Sequence, residues 1–327
     1  MKRFGDIIGH EKIIDYFRNA VKSGQIGHAY ILEGEKGSGK KTLADAFAQA
    51  LLCETKTEDG CGTCVSCMQV QSGNHPDVIH VRPAKTRYSV EEIRTLNGDI
   101  YIKPYSSAYK IYVIEDAGTM NDAAQNAFLK TIEEPPEYAV LLLLAENKGT
   151  FLQTILSRCV KLSLKPVPKE EIRDFLVREY GTTAGHADLA ATFCGGNVGR
   201  AIWYATSDDF EEVREQVIHL LKFLDDMPFD EVLESVSTLA GRKDRVDEFL
   251  DLCMMWFRDV ILYKATKNLN GIAFREEIGA ISAQASTRSF ETIGRVIDSF
   301  DKARLRLKAN VSFDIAMELL ILALKEK

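Results

Sequence analysis

Three groups of residues have types and spacings that could do chemistry. In the first, Gly34-Glu35-Lys36-Gly37-Ser38-Gly39-Lys40, the glycines let backbone N–H groups turn inward toward phosphate oxygens, and Lys40 can reach the outer ones. The next position normally carries a Ser or Thr hydroxyl that holds magnesium. Lys41 stands there, and Thr42 comes one residue late. An ammonium cannot coordinate a cation, and one residue along a helix turns a side chain by about 100°. The loop therefore has the shape of a nucleotide site without its metal ligand. Occupancy by ATP or ADP stays open, and magnesium is disfavoured.

The second group is Ile111-Tyr112-Val113-Ile114-Glu115-Asp116, an apolar run ending in paired acids. Acids at the carboxyl end of such a strand support magnesium and orient an attacking water in nucleotide hydrolysis. The usual order is Asp then Glu, and here it is reversed. A displacement of about 1 Å at a catalytic group can cost roughly 10²-fold, so this is a second departure from efficient hydrolysis.

The third group is Cys53, Cys61, Cys64 and Cys67, four of the seven cysteines. Four thiolates make a closed tetrahedral set suited to structural zinc, with no position left for a reacting water. The intervening Glu54 to Gly60 is polar and loop-like, so the metal would staple an excursion between helices. Cys159, Cys194 and Cys253 are isolated and read as small core residues.

The surrounding pattern supplies elements to hold these groups. His28 to Leu32 is a short strand before the glycines, and Leu43, Ala44, Phe47, Ala48, Leu51 and Leu52 recur at helical spacing after them. Strand, loop and helix in that order are the context a phosphate loop requires, with the helix N-terminus adding partial positive charge. Val78 to Val81 and Ile111 to Ile114 read as strands. Val140 to Leu144 is continuously apolar, as in a sheet covered on both faces. Ser89 with Glu92 forms a capping box for a helix, and Asn121 to Glu134 is an amphipathic helix stopped by Pro135-Pro136. This alternation predicts a parallel α/β domain over residues 1–165. Beyond Pro166 and Pro168 the signals are helical. They predict a small helical domain over 166–208 and a second one over 209–327, with helices at Val213–Phe223, Val246–Tyr263, Ile293–Leu307 and Phe313–Leu324.

Of the 327 residues, 46% are hydrophobic and 27% charged, a balance suited to several packed domains, and the net charge is -7. A chain that bound DNA alone would usually be basic, so any nucleic-acid contact should be local or shared with partners. Met1-Lys2-Arg3-Phe4 leads into Gly5-Asp6 rather than an apolar stretch, and the longest apolar run, Ala139 to Ala145, is too short to cross a bilayer. The expectation is a cytoplasmic chain with no membrane partner.

Taken in order, Asp6-Ile7-Ile8-Gly9, His28-Ala29-Tyr30, the glycine loop, the four cysteines, Ile111 to Asp116, Leu129 to Pro136 (LKTIEEPP), Ala145-Glu146-Asn147 and Ser157-Arg158-Cys159 resemble the bacterial DNA polymerase III clamp-loader subunits of the gamma/tau and delta-prime kind. The resemblance covers about residues 1–205. It implies a RecA-like AAA+ P-loop domain with a zinc module, a helical lid and a helical collar that joins subunits in a hetero-pentameric ring. It implies contact of Ile7 and Ile8 with the adenine, a sensor role for Asn147 beside the nucleotide, and a second sensor at Arg200. It also implies that Arg158 is an arginine finger acting in trans on a neighbour's ATP. The partners implied are gamma/tau and delta subunits, the sliding clamp, and primer-template DNA reached through the assembly.

Lys41 and the order Glu115-Asp116 depart from the motor subunits and favour the delta-prime branch. That branch is a stator within the polymerase holoenzyme, with no polymerase activity of its own and weak or absent ATPase. A gamma-like competent ATPase is the alternative, and a zinc-dependent nucleic-acid-binding module is a further rival. Lys85 and Arg87, with Arg94 on the helix that follows, form a basic segment placed where related loaders face DNA. A solvated loop is the competing reading of it.

Overall fold

The structure, a computed structural model, describes residues 3–207, 209–240, 246–269 and 271–326. They fall into two compact units, Met1–Ala205 and Thr206–Lys327.

The first unit runs α1 (Glu11–Ser23), β1 (Ala29–Glu33), α2 (Lys40–Leu51), α3 (Val65–Ser72), β2 (Val78–Val81), α4 (Val90–Ile100), β3 (Lys110–Ile114), α5 (Asp122–Glu133), β4 (Ala139–Ala145), α6 (Gln153–Leu156), β5 (Val160–Ser163), α7 (Lys169–Tyr180), α8 (Ala184–Phe193) and α9 (Val198–Thr206). The strands form one parallel sheet in the order β2-β3-β4-β1-β5. The loop after β1 thus emerges between β4 and β5 at the carboxyl edge, where ligands of open α/β sheets sit.

Both faces of the sheet are covered, which explains the continuous apolar strands. Ile31, Tyr112, Ile114, Leu141 and Leu143 point to one core with Phe128 and Ile132 of α5 and Ile93 of α4. Their neighbours Tyr30, Leu32, Ile111, Val113, Val140 and Leu142 point to the other core, with Phe17 of α1 and Leu43 and Phe47 of α2. Each fully buried side chain of this size contributes about 1.5–3 kcal/mol. Local signals set the helix ends. Ser89 and Glu92 complete their capping box, and Asn121 caps α5 by accepting from Ala124 N at 2.8 Å. Some elements lack the sequence signals singled out above, α1 and β5 among them. Helix α1 is amphipathic through Ile13, Ile14, Phe17 and Ala20, and β5 is only four residues long with alternating half-burial.

The second unit comprises α10 (Asp209–Phe223), α11 (Phe229–Ala240), α12 (Val246–Thr266), α13 (Ile278–Thr287), α14 (Phe290–Lys308) and α15 (Phe313–Leu324). Asp208, the expected end of the small helical domain, lies outside the described residues. The core contains hydrogen-bonded polar side chains. Trp256 Nε1 donates to Gln284 Oε1 at 2.9 Å, and Gln284 Nε2 to Leu221 O at 2.7 Å. Arg288 is only 1% exposed. It donates to Asp225 Oδ1 at 2.6 Å and to Leu324 O at 2.8 Å, and its guanidinium lies 5.3 Å from the centroid of the Phe257 ring. One buried cation thereby ties the end of α13 to the turn after α10, to α12 and to the last turn of α15. Among the described residues, no helix is long and apolar enough to cross a membrane.

Removing one member of a buried ion pair leaves the other uncompensated, a loss of about 3–5 kcal/mol. Arg288→Ala is therefore expected to destabilise the protein by roughly 3 kcal/mol in urea melts. Arg288→Ala combined with Asp225→Ala should lose less than the sum of the two single changes. Additive losses would count against the pairing.

Candidate functional site

The loop from Gly34 to Lys40 is held at the sheet edge by Gly34 N donating to Ala145 O at 3.1 Å and by Leu164 N donating to Glu33 O at 2.8 Å. Gly37 and Gly39 have φ of 86° and 98°, left-handed values that glycine adopts without strain, and Ser38 N between them donates to Glu35 O at 3.1 Å. Ser38 Oγ is buried without a hydrogen-bond partner. Lys40 Nζ folds back onto Gly34 O at 2.5 Å and Glu35 O at 2.7 Å. Burial lowers its pKa, while Glu146, Asp116 and Glu35 act in the opposite direction. A glycine loop leading into the N-terminus of α2, an orphan hydroxyl and a partly buried ammonium fit a phosphate-bearing ligand.

Helix α9 packs directly on this loop. Gly199 N donates to Gly37 O at 2.9 Å, and Asn197 Nδ2 donates to Lys36 O at 2.8 Å. A Cβ on Gly199 would lie 2.8 Å from Gly37 Cα, so only glycine permits the approach. This brings Arg200 to the loop, with Nη2 3.6 Å from Glu35 Oε2. On the other side, Ile7 and Ile8 are half-buried, and Ile7 packs against the α1–α2 core. His10, in a left-handed conformation, places Nε2 3.1 Å from Ser38 O. The sequence reading missed His10.

The residues that would hold magnesium are paired with one another. Lys41 Nζ sits 2.7 Å from Glu115 Oε1, and Arg82 Nε sits 2.9 Å from Glu115 Oε2. Burial works against the Glu115 charge, but the bonds from Lys41 and Arg82 prevail and lower its pKa. Thr42 is half-buried in the first turn of α2. Asp116 is exposed at φ 51°, a left-handed position that Asp tolerates better than most side chains. With an ammonium where the hydroxyl ligand belongs and both Glu115 oxygens taken by cations, these residues do not fit magnesium.

Behind this pair, His80 lies 3.5 Å from Glu115 Oε1 and 3.3 Å from Asp45 Oδ1, neither within hydrogen-bond geometry. Burial pushes Asp45 up to about 7, with Lys41 pulling down and Glu115 adding to the rise. Burial and Lys41 lower His80 against the pull of Glu115. Asp45, His80 and Arg82 carried no signal in the sequence, because Asp45 stands on α2 while His80 and Arg82 stand on and just past β2, and they meet only when the helix packs on the sheet.

Asn147 lies exposed just past β4, and its Oδ1 accepts from Gly149 N at 2.7 Å. Beside it, Glu33 at the end of β1 accepts from Lys148 N at 3.0 Å, Lys148 Nζ at 2.7 Å and Ser163 Oγ at 2.5 Å. Burial opposes the Glu33 charge, yet these donors hold its carboxyl down at about 2.

The four sulfurs of Cys53, Cys61, Cys64 and Cys67 lie within 4.8 Å of one another. A tetrahedral zinc with bonds of about 2.3 Å needs sulfurs roughly 3.8 Å apart, and the Cys61 and Cys67 sulfurs are 3.9 Å apart. Backbone N–H groups already point at the sulfurs: Cys61 N at Cys53, Cys64 N at Cys61 and Cys67 N at Cys64, at 3.2, 3.3 and 3.4 Å. Thr55 and Thr63, with the Cys64 N–H, pull Cys61 down to about 5. Burial raises Cys67. Donor type, convergence and N–H support fit zinc. Cys64 also caps α3, a helix that the spacing of the cysteines alone did not reveal.

Arg158 lies on the surface, its side chain 39% exposed, with Nη2 3.0 Å from Glu133 Oε1 and Nη1 2.9 Å from Thr154 O. The two segments LKTIEEPP and Ser157-Arg158-Cys159 thus meet through this pair. An exposed ion pair of this kind holds by about 1 kcal/mol or less, so the guanidinium can leave for a more highly charged anion. Lys85 and Arg87 are exposed in the loop before α4, and Arg94 on α4 pairs with Glu91 at 3.0 Å.

Comparison with known proteins follows the same lines. The family described as "DNA polymerase III, delta subunit" matches residues 9–168. The chain is 28% identical over 318 residues to the delta' subunit of Bacillus subtilis DNA polymerase III, covering 96% of each chain. It is 26% identical over 350 residues to the tau subunit of the same organism, covering 97% of this chain but 61% of that one. Over 53% of this chain it is 37% identical to the gamma subunit of Buchnera aphidicola from Acyrthosiphon pisum, of which it spans 48%. The chain therefore spans nearly all of a delta' subunit and about half to three fifths of these tau and gamma subunits. A gamma subunit-related protein of Thermotoga maritima overlaps loosely, with a TM-score of 0.44 and 19% identity, covering 95% of this chain and 98% of that one.

A carboxyl group raised by burial weakens the fold as it ionises. The unfolded Asp45 loses its proton near pH 4, whereas the folded one holds it to about 7. Stability relative to an uncharged side chain is therefore full below about pH 4, declines as pH rises to about 7 and is constant above. Asp45→Asn is expected to raise Tm at pH 8 and to lose that advantage toward pH 4. An advantage independent of pH would argue against a buried, proton-holding Asp45.

Proposed function

The chain belongs to the bacterial clamp-loader subunits of AAA+ type, and from that membership we propose that it is a delta-prime-like stator of the DNA polymerase III clamp loader. It lends a cation to a neighbouring motor subunit and turns over little or no ATP itself. The observation that carries this reading is the 2.7 Å contact between Lys41 and Glu115. It removes the magnesium site from this chain's own loop while Arg158 stands exposed and weakly held at the surface. A guanidinium presented to the γ-phosphate of a neighbour stabilises charge that develops as the bond breaks. A gamma-like ATPase would need the metal site that Lys41 displaces.

The remaining roles follow from the same assignment. Residues 1–165 form the AAA+ domain, 166–208 the lid and 209–327 the collar. The collar role is supported by the apolar stripe Ile315, Leu319 and Leu322 along α15, with Leu305 and Val311 nearby, all exposed on the second unit. Zinc held by Cys53, Cys61, Cys64 and Cys67 would tie the polar excursion to α2 and α3 as structure, not catalysis. Lys85, Arg87 and Arg94 would offer phosphate contacts to primer-template DNA inside the ring, without reading sequence. Gamma/tau and delta subunits and the sliding clamp are the protein partners of this reading.

In a loader reconstituted from motor and delta subunits, Arg158→Ala is expected to lower the DNA- and clamp-stimulated ATPase by about 10³-fold. Arg158→Lys should not rescue it, since a point charge does not reproduce the planar fork. An unchanged rate with Arg158→Ala would refute the role in trans, and brisk ATP turnover by the isolated chain would favour the gamma-like reading.

The zinc assignment has its own measurement. The purified protein is expected to carry stoichiometric zinc by elemental analysis, and Cys67→Ser or prolonged chelation should remove the metal and lower Tm. Protein without zinc and with an unaltered melt would exclude a structural metal.

A further inference from the structure

In a phosphate loop that uses magnesium, a hydroxyl from the start of the helix and a carboxylate from the neighbouring strand hold a cation between them. Here the same two places hold Lys41 and Glu115, and the ammonium itself lies 2.7 Å from the carboxylate. The position of the positive charge is kept, while its carrier has become a covalently attached group.

Three features suit the ammonium to more than static pairing. Glu115 has a second cation, Arg82, at 2.9 Å on its other oxygen, so it stays neutralised if Lys41 turns away. The Lys41 side chain is 40% exposed, and it projects from the first turn of α2, at the helix N-terminus that directly follows the loop. Lys40 and Arg200 border the same loop, so three monovalent cations can face a polyphosphate there. A divalent ion at this place would meet Lys41 and Arg82 at close range with no free carboxylate oxygen on Glu115, and like charges so placed repel strongly.

We propose that Lys41 is a tethered substitute for magnesium, so that the phosphate loop binds nucleoside di- or triphosphate free of divalent cation. The metal-complexed nucleotide is the weaker ligand, because its metal must displace or approach the ammonium. The proposal rests on the AAA+ reading of the loop but not on the role of Arg158 in trans. It concerns which form of nucleotide the loop accepts, and no hydrolytic step follows from it.

The test is equilibrium binding of a fluorescent ADP analogue to the intact chain, in EDTA and in excess magnesium, with manganese alone followed by electron paramagnetic resonance. The wild-type protein is expected to bind the analogue in EDTA, to bind it at least about threefold more weakly with magnesium, and to take up no manganese at the loop. Lys41→Thr restores a hydroxyl and frees Glu115, so it should reverse the dependence, with magnesium tightening binding about tenfold. Lys41→Arg keeps a cation and should behave as wild type, which separates loss of charge from loss of fold. Circular dichroism melts check that both variants are folded. Tenfold tighter wild-type binding with magnesium, manganese bound at the wild-type loop, no nucleotide binding in EDTA, or folded Lys41→Thr with an unchanged metal response would each overturn the proposal. None of these outcomes bears on the ATPase of the assembled loader with Arg158→Ala, so the two readings fail separately.

Discussion

Glu115 sits half-buried at the mouth of a parallel sheet, where an ionised carboxylate is costly without a counter-charge. The chain supplies that charge from two directions, Lys41 on α2 and Arg82 just past β2. Behind them lie a carboxyl that burial keeps protonated to about pH 7 and a His80 ring whose basicity burial reduces. The negative charge of Glu115 is thus balanced within the polypeptide, with one positive charge left over. An ATPase site of this shape depends on an ion and a substrate to reach the same balance. The change from hydroxyl to ammonium at one position therefore alters the ligand preference of the whole loop.

The scaffold makes this balance possible. Placing β1 between β4 and β5 delivers the loop to the carboxyl edge away from the sheet's ends, and the β3–β2 pair on the other side of β4 brings Glu115 and His80 to the same side of the sheet. Two apolar cores clamp the sheet from opposite faces, so the strand ends have little freedom to adjust. From the far side, α9 closes onto the loop through glycine-to-glycine contact. A side chain at either glycine would push the helix away and carry Arg200 with it. Positions that bear no functional group thus decide where the functional groups stand.

Arg158 follows a different logic. Its partner Glu133 comes from the end of α5, where Pro135-Pro136 stops the helix and leaves the acid at the surface. The pair is exposed, so it parks the guanidinium at little cost to its release. The buried Arg288 of the second unit is the contrast. Enclosed among Asp225, Leu324 and Phe257, it is a fastening within its own core.

The glycine loop, the acidic strand end, the four cysteines and the continuous apolar strands were legible in the sequence, because each is a local pattern whose spacing alone carries the meaning. So were the capped starts of α4 and α5, since Ser89 and Asn121 satisfy backbone groups only a few residues away. Helix α1 carries only the spacing of Ile13, Ile14, Phe17 and Ala20, and strand β5 leaves almost no period to find, with two half-buried residues alternating with two exposed ones. Only the tertiary structure decided that Lys41 finds Glu115, that Arg82 shares it, and that Asp45 and His80 are shut in behind. Those contacts join residues up to 74 apart in the chain. Their partners are chosen by strand order and helix packing, and a pattern that repeats every two or every 3.6 residues holds no record of either.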